Sequence, residues 1–549
     1  MSLFHDGASS NPDWHEVDWQ SVYTVVRRFQ ARIVRATKAG RWNKVKSLQY
    51  LLVNSTAAKL LAVRRVTENR GKNTPGVDGE TWTTPTTKLA AALALKTKGY
   101  KPQPLRRVLI PKSRGGQRPL GIPTMRDRAV QALHLLALDP VAETTADKSS
   151  FGFRKNRSTH DAIEYNFALF SHKSSAQWVL EADIAGCFDT ISHDWLLANI
   201  PMDKLILRKW LKAGFIYNGV WSATKAGTPQ GGIISPVLAN MALDGLEALL
   251  AARFKESWRG GYAHPKVKVC RYADDFIVSG ATQELLASQV LPAIETFMAE
   301  RGLTLSREKT TITHIDQGFD FLGQNHRKYA GKLLIKPSSI SVKKLLADLK
   351  SKVLKLRAAK QEDLIAVLNP VLRGWAYYHR HIVSKEVFRR VSHKVFHQLW
   401  QWATRRHPRK GKRWIRHRYF DESWNFRCNT EKGRLALFNI VKLPIKRHCA
   451  LKRSANPYDP EWSLYFERRE ARKTAHQSNF LVTQLYRRQG GKCPVCSERI
   501  DEARGWDIHH KVPRACGGSG EQDNLVLLHV NCHKQVHARN PVLGLLLEA

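Results

Sequence analysis

The chain has 549 residues and a formal net charge of +42, from 89 Lys plus Arg against 47 Asp plus Glu. That length holds three or four domains with cores of their own, and the cationic surplus requires a polyanionic partner, with nucleic acid the first expectation. A membrane span is excluded because no uninterrupted apolar stretch approaches the roughly 18 residues it needs, and eight cysteines in so long a chain do not make a disulfide framework.

Residues 1–20 are polar and carry Asp6, Asp13, Glu16 and Asp18, unlike a signal peptide's basic start and apolar core, so a cytoplasmic location is expected. Residues 21–65 read as basic helices, and 71–79 as a loop dense in Gly, Pro and Asn that opens a catalytic domain. The apolar run 178–182 predicts a strand ending at Asp183. Ser235 as N-cap, Pro236 at the first helical position and apolar residues recurring to Leu250 predict one helix. Strand-like runs 267–271 and 276–279 flank Tyr272-Ala273-Asp274-Asp275. Two adjacent carboxylates at a hairpin tip repel one another and are a poor choice for stability, though an Asp-Asp pair at a turn is more often only a solvated tip. With Asp183 they form the carboxylate set that two-metal nucleotidyl transfer requires.

Between 341 and 420 stand 21 Lys or Arg against 4 Asp or Glu. This segment reads as helices, with Leu368, Leu372, Trp375, Ala376 and His379 as an apolar stripe beside Arg373, Arg380, Arg389 and Arg390. The run 405–414 reads as a flexible phosphate-binding loop. Residues 421–480 carry no motif with a mechanism. At the C-terminus Cys493-x-x-Cys496 and His529-x-x-Cys532 have zinc-knuckle spacing and predict one tetrahedral Cys3His site, with Cys516 as the substitute third ligand should His529 not serve.

The order of motifs carries more than any one of them. Thr74-Pro75-Gly76-Val77-Asp78-Gly79 is followed by Ile110-Pro111-Lys112, Arg118-Pro119-Leu120-Gly121-Ile122-Pro123-Thr124 and Ser150-Phe151-Gly152-Phe153-Arg154. Then come the Asp183 block ending Phe188-Asp189, Gly227-Thr228-Pro229-Gln230-Gly231-Gly232, the Asp274 pair, Gly302-Leu303-Thr304-Leu305-Ser306 with Glu308-Lys309-Thr310, and Phe319-Asp320-Phe321-Leu322-Gly323. Over roughly residues 70–420 this series resembles the reverse transcriptases encoded by bacterial group II introns.

The resemblance implies an α+β right-hand polymerase, with fingers and palm, then an α-helical thumb or X domain and a small zinc-containing ββα-metal (HNH) domain. Expected boundaries are 1–70 for a basic helical extension, 71–330 for fingers and palm, 331–420 for thumb, 421–480 for a DNA-binding region by position only, and 481–549 for the nuclease. Asp183, Asp274 and Asp275 are expected to hold two Mg2+ ions. Lys112 and Arg118, flanking Gly115-Gly116, are expected to close on the incoming deoxynucleoside triphosphate, Phe188 to exclude a 2′ hydroxyl, and Gln230 to contact the nascent pair. The C-terminal motifs resemble the HNH nucleases, which implies a catalytic divalent ion on His509, His533 and His537. His510 is then the general base and Asn524 the residue fixing the loop between strand and helix. A zinc ribbon that binds DNA without cutting it is the alternative.

The expected function is that of a multifunctional group II intron-encoded protein: RNA-directed DNA polymerase, splicing maturase and DNA endonuclease. Its expected partners are intron RNA and target DNA, with no membrane, in the bacterial cytoplasm and on the nucleoid. Alternatives are a splicing maturase whose polymerase site is unused and a host-domesticated defence reverse transcriptase.

Overall fold

Apolar residues at three- and four-residue spacing give the N-terminal region its helices, α1 (Trp19–Lys38), α2 (Trp42–Asn54) and α3 (Thr56–Glu68). Asp18 caps α1 by accepting from the Gln20 and Ser21 amides, and Ser55 caps α3 by accepting from Ala58. Their buried faces, including Val26, Ile33, Leu52, Leu60 and Val63, pack on the helix Met125–Thr145, itself buried nearly all round. The computed structural model describes residues 3, 13–69, 71–111, 116–255, 264–431, 433–477, 480–500 and 505–539.

Strands β1 (Leu105–Pro111) and β2 (Gln117–Ile122) pair antiparallel with Ile110 opposite Arg118. β3 (Trp178–Asp183) lies in the middle of a second sheet. β4 (Phe215–Tyr217) and β5 (Val220–Ser222) complete the first sheet, in the order β2-β1-β4-β5. β6 (Lys268–Tyr272), β7 (Asp275–Gly280) and β8 (Thr311–His314) complete the second, in the order β6-β7-β3-β8. The helix expected from Ser235 is two, Ser235–Leu243 and Leu246–Arg253, because Gly245 takes φ 100 and breaks the hydrogen-bond ladder. Ser235 is its first helical residue and Ile234 the N-cap. A three-stranded sheet of β9 (Phe319–Phe321), β10 (Gln324–Tyr329) and β11 (Lys332–Pro337) follows.

Helices Ser339–Lys355, Gln361–His379, Lys385–Arg406 and Lys412–Tyr419 enclose a separate core. Leu368, Leu372, Ala376 and His379 are buried as their spacing predicts, and the half-buried Trp375 donates its indole N–H to Ser341 Oγ at 3.0 Å. The loop expected over 405–414 is shorter, since helix runs through Arg406 and resumes at Lys412. The hairpin of β12 (Arg427–Thr430) and β13 (Gly433–Ala436) closes this core through Phe426, Ile440 and Leu443, whereas Leu451, Ala455 and Phe466 pack with the β9–β11 sheet and the helix Thr159–Phe170.

The C-terminal unit is β14 (Trp506–His510), β15 (Leu525–His529) and the helix Val530–Arg539. It shares a core with the N-terminal helices. Gln535 donates to His15 O at 3.0 Å, Trp14 donates to Asn531 Oδ1 at 3.4 Å, and Arg27 pairs with Glu498. Among the described residues no helix is long and apolar enough to cross a membrane.

Candidate active sites

β3 and β7 run antiparallel with Asp183 opposite Asp275, and β7 turns back through Asp274 and Ala273 into β6, so three carboxylates from distant parts of the chain share one end of the sheet. The turn is tight, with Ala273 at φ 59. The segment 149–152 presses against it, Arg271 donating to Ser149 O at 3.0 Å and Phe151 to Arg271 O at 2.9 Å. A Cβ at Gly152 would stand 2.3 Å from Ala273 N, so only glycine permits this approach.

Arg271, fully buried beneath the turn, pairs with Asp244 and donates to Asn240 Oδ1 at 3.1 Å and Ala273 O at 3.4 Å. Burial still raises the Asp244 carboxyl to about 6 against the pull of that guanidinium. Removing either partner of such a pair leaves a buried uncompensated charge, at about 3–5 kcal/mol. Sequence reasoning gave Arg271 no role, because nothing in a run of apolar strand residues says that its one arginine points inward.

Asp274 is raised above the usual carboxylate range, first by burial and then by Asp183 beside it, while Arg118 and Lys309 pull it down. A largely buried carboxylate with a second one beside it fits a divalent cation. Asp183 itself is paired with Lys309. Lys309 was also missed as a site residue, although the motif Glu308-Lys309-Thr310 carried the signal.

The loop 227–232 ties the other expected residues to this end of the sheet. Thr228 donates to Phe188 O at 2.6 Å, and Gly121 on β2 donates to Gln230 O at 2.7 Å. Gly231, at φ 118, allows the contact, because a Cβ there would meet Gly121 O at 2.6 Å. Phe188 is half-buried and meets Phe153 edge to face at 6.3 Å. Arg118 is exposed on β2, and Lys112 lies outside the described residues.

In the C-terminal unit Cys493, Cys496, His529 and Cys532 are all buried, with their ligand atoms within 4.8 Å of one another. Cys516 is exposed and outside this group, so His529 is the third member. His529 Nε2 lies 2.8 Å from Arg499 O and its Nδ1 3.4 Å from Cys496 Sγ, which fixes the ring with Nδ1 toward the thiols. Burial lowers the His529 pKa, but Cys493 and Cys496 outweigh it and raise it to about 9, the mark of a pocket that favours positive charge. Arg64 of α3 is 2% exposed, stacks over Trp19 at 4.5 Å and approaches Cys532 Sγ at 4.0 Å.

A second cluster joins His509, His533 and His537, whose ring nitrogens also fall within 4.8 Å of one another. His533 and His537 share a helix face at i, i+4, and His533 Nδ1 is 3.1 Å from Asp507 Oδ2. His509 Nε2 is buried without a hydrogen bond, and burial, then the neighbouring histidines, lower its pKa to about 4. A neutral imidazole with an orphaned nitrogen fits a divalent ion. His510 points to the opposite side of β14, as alternation requires, and its Nε2 accepts from Arg514 Nε at 3.1 Å. Arg514 was not foreseen. Asn524 accepts from Val512 N at 2.7 Å and donates to Val512 O at 3.0 Å and Ser519 O at 2.7 Å. It therefore clamps the loop between β14 and β15, including the turn from β14 into the short helix Arg514–Cys516.

The sequence matches four families in chain order. These are the N-terminal domain of reverse transcriptase at 14–95, reverse transcriptase (RNA-dependent DNA polymerase) at 110–326, the group II intron maturase-specific domain at 342–420 and HNH endonuclease at 493–539. Protein YkfC of Escherichia coli is 36% identical over 300 residues, covering 48% of this chain and 78% of that one. The group II intron-encoded protein LtrA of Lactococcus lactis subsp. cremoris is 31% identical over 327 residues, covering 47% of this chain and only 54%, about half, of its own length. A solved apo telomerase of Candida tropicalis aligns over 56% of this chain and 64% of that one at 13% identity and a TM-score of 0.35, a likeness too slight to bear on the fold. With its polymerase, maturase-specific and HNH regions in this order, the chain belongs to the group II intron-encoded reverse transcriptases.

Proposed function

We propose that this protein binds its intron RNA, aids its splicing, and inserts the intron into DNA by cutting one target strand and copying RNA from the exposed 3′ end. The observation that carries the reading is the pairing, in one chain, of Asp183, Asp274 and Asp275 at one sheet end with a separate His509, His533 and His537 cluster.

In this reading Asp183 and Asp274 are the principal ligands of two Mg2+ ions, with Asp275 supporting. When bound, such ions lower the pKa of the primer 3′ hydroxyl and neutralise triphosphate charge. The chain's own contribution is placement. Arg271 and Gly152 hold the Asp274 turn, Arg118 and Lys112 meet the triphosphate, Phe188 blocks a 2′ hydroxyl, and Gln230 lies against the nascent pair. The basic helices between 339 and 419, an α-helical thumb in the family's terms, hold RNA by its phosphates.

In the nuclease, Cys493, Cys496, His529 and Cys532 would hold a structural Zn2+, and His509, His533 and His537 would hold a divalent ion, which when bound supplies positive charge for the phosphate. His510 takes the proton of the attacking water, a task suited to an imidazole. The work is done in the bacterial cytoplasm on nucleoid DNA. Both intact metal-binding sets favour this reading over a maturase without polymerase activity.

The test is a target-primed reaction: ribonucleoprotein, duplex DNA carrying the ligated-exon junction, and labelled deoxynucleotides. Label covalently joined to the cut target strand is expected. Label appearing only in cDNA unattached to target overturns the reading.

A further inference from the structure

The helical unit carries a cleft of ≈ 420 Å³ lined by Phe396, His397, Trp400 and Trp424, with Lys412, Arg413 and Arg416 beside them. It shares no residue with either candidate active site. We propose that this cleft binds one unstacked nucleobase of a single-stranded nucleic-acid segment, with Lys412, Arg413 and Arg416 on the flanking phosphates. The assignment rests on the nucleic-acid-binding reading above.

Three observations carry it. The rings form one contiguous aromatic surface, with Phe396 stacked on Trp400 at 6.0 Å, and Trp424 standing 5.9 Å from Phe396 and 6.1 Å from Trp400. Trp424 is 46% exposed and is held at φ 58, a left-handed backbone that a bulky residue rarely adopts. The conformation is built rather than incidental. Asp421 O accepts from Trp424 N at 2.9 Å, Asp421 Oδ1 accepts from Asn425 N at 2.9 Å, and Arg434 pins the other carboxylate oxygen at 2.8 Å.

The third observation is charge. No carboxylate lines the cleft, and Arg416 lies over the Trp424 ring at 4.4 Å. An aromatic surface bordered by these cations and His397 matches a ligand with a π face and attached anions, which a nucleotide has and an unmodified peptide side chain lacks. The volume suits one nucleotide rather than a duplex.

The test uses full-length protein and short oligonucleotides carrying a single 5-iodouracil, one set RNA and one DNA, followed by photocrosslinking and peptide mapping. Crosslinks are expected on Phe396, Trp400 or Trp424, with yield falling at least about tenfold in Trp424→Gly, which removes the ring and tolerates the backbone, and surviving in Trp424→Tyr. A crosslink with RNA alone identifies the ligand strand as RNA, and one with DNA alone as displaced target strand. Crosslinks mapping only elsewhere, or a yield unchanged in Trp424→Gly, overturn the assignment. Retention of intron RNA on the unaltered protein is measured alongside. Intron RNA bound without a crosslink here defeats this assignment alone, whereas loss of intron RNA binding defeats the broader reading.

Discussion

Gly152→Ala tests how the Asp274 turn is held. The added Cβ would stand 2.3 Å from Ala273 N, 2.9 Å from Tyr272 C and 3.0 Å from Ala273 Cα, all backbone atoms that no rotamer change can move aside. Ordinary contact begins near 3.4 Å, so the turn and segment 149–152 must part by about 1 Å. Overpacking of this kind costs about 1–3 kcal/mol of stability, which a large core absorbs. Catalysis is less forgiving, since a misplacement of about 1 Å in a reacting group costs about 100-fold. Steady-state primer extension on an RNA template, beside a urea melt and an RNA-binding titration, separates the two effects. The expected result is a fall of about 100-fold in kcat, RNA affinity within about twofold, and a folded protein. Extension within threefold of the unaltered enzyme would refute the claim that this approach sets the carboxylate geometry.

Other predictions follow from the same contacts. Arg64→Met removes the guanidinium near Cys532 Sγ and should weaken zinc retention about 10- to 100-fold in chelator competition; unchanged retention removes Arg64 from the zinc environment. His326, fully buried on Phe319, is lowered by burial to about 3, so the folded state keeps it neutral while the unfolded chain takes up a proton below its ordinary 6.5. Its share of stability is complete above pH 6.5 and shrinks as pH falls toward 3, by about 2–3 kcal/mol at pH 4.5, and His326→Leu should flatten the urea midpoint against pH over that window. An unflattened slope shows that other groups carry the acid sensitivity. Asn524→Ala frees the β14–β15 loop and should lower DNA nicking while leaving primer extension intact, whereas parallel loss of both would show a general folding defect.

Much of this was legible in the sequence because period and punctuation report local structure. Strand-like runs around Asp183 and Asp274 became β3, β6 and β7, and the apolar stripe from Leu368 to His379 became a buried helix face. Tertiary contacts were not legible. Arg271, Lys309 and Arg64 each act on a residue far along the chain, Arg514 reaches back four residues across a turn, and a lone basic residue in a cationic protein reads as surface. The break at Gly245 was missed because apolar spacing continues through it.

If one chain carries two separate catalytic centres, a reciprocal pair of substitutions separates them. Asp274→Ala and His510→Ala proteins, each assembled with intron RNA, are assayed side by side for primer extension and for nicking of duplex target. Asp274→Ala is expected to abolish extension and keep nicking, and His510→Ala to abolish nicking and keep extension from a supplied primer. Loss of both activities in either variant, or of neither, would contradict that separation.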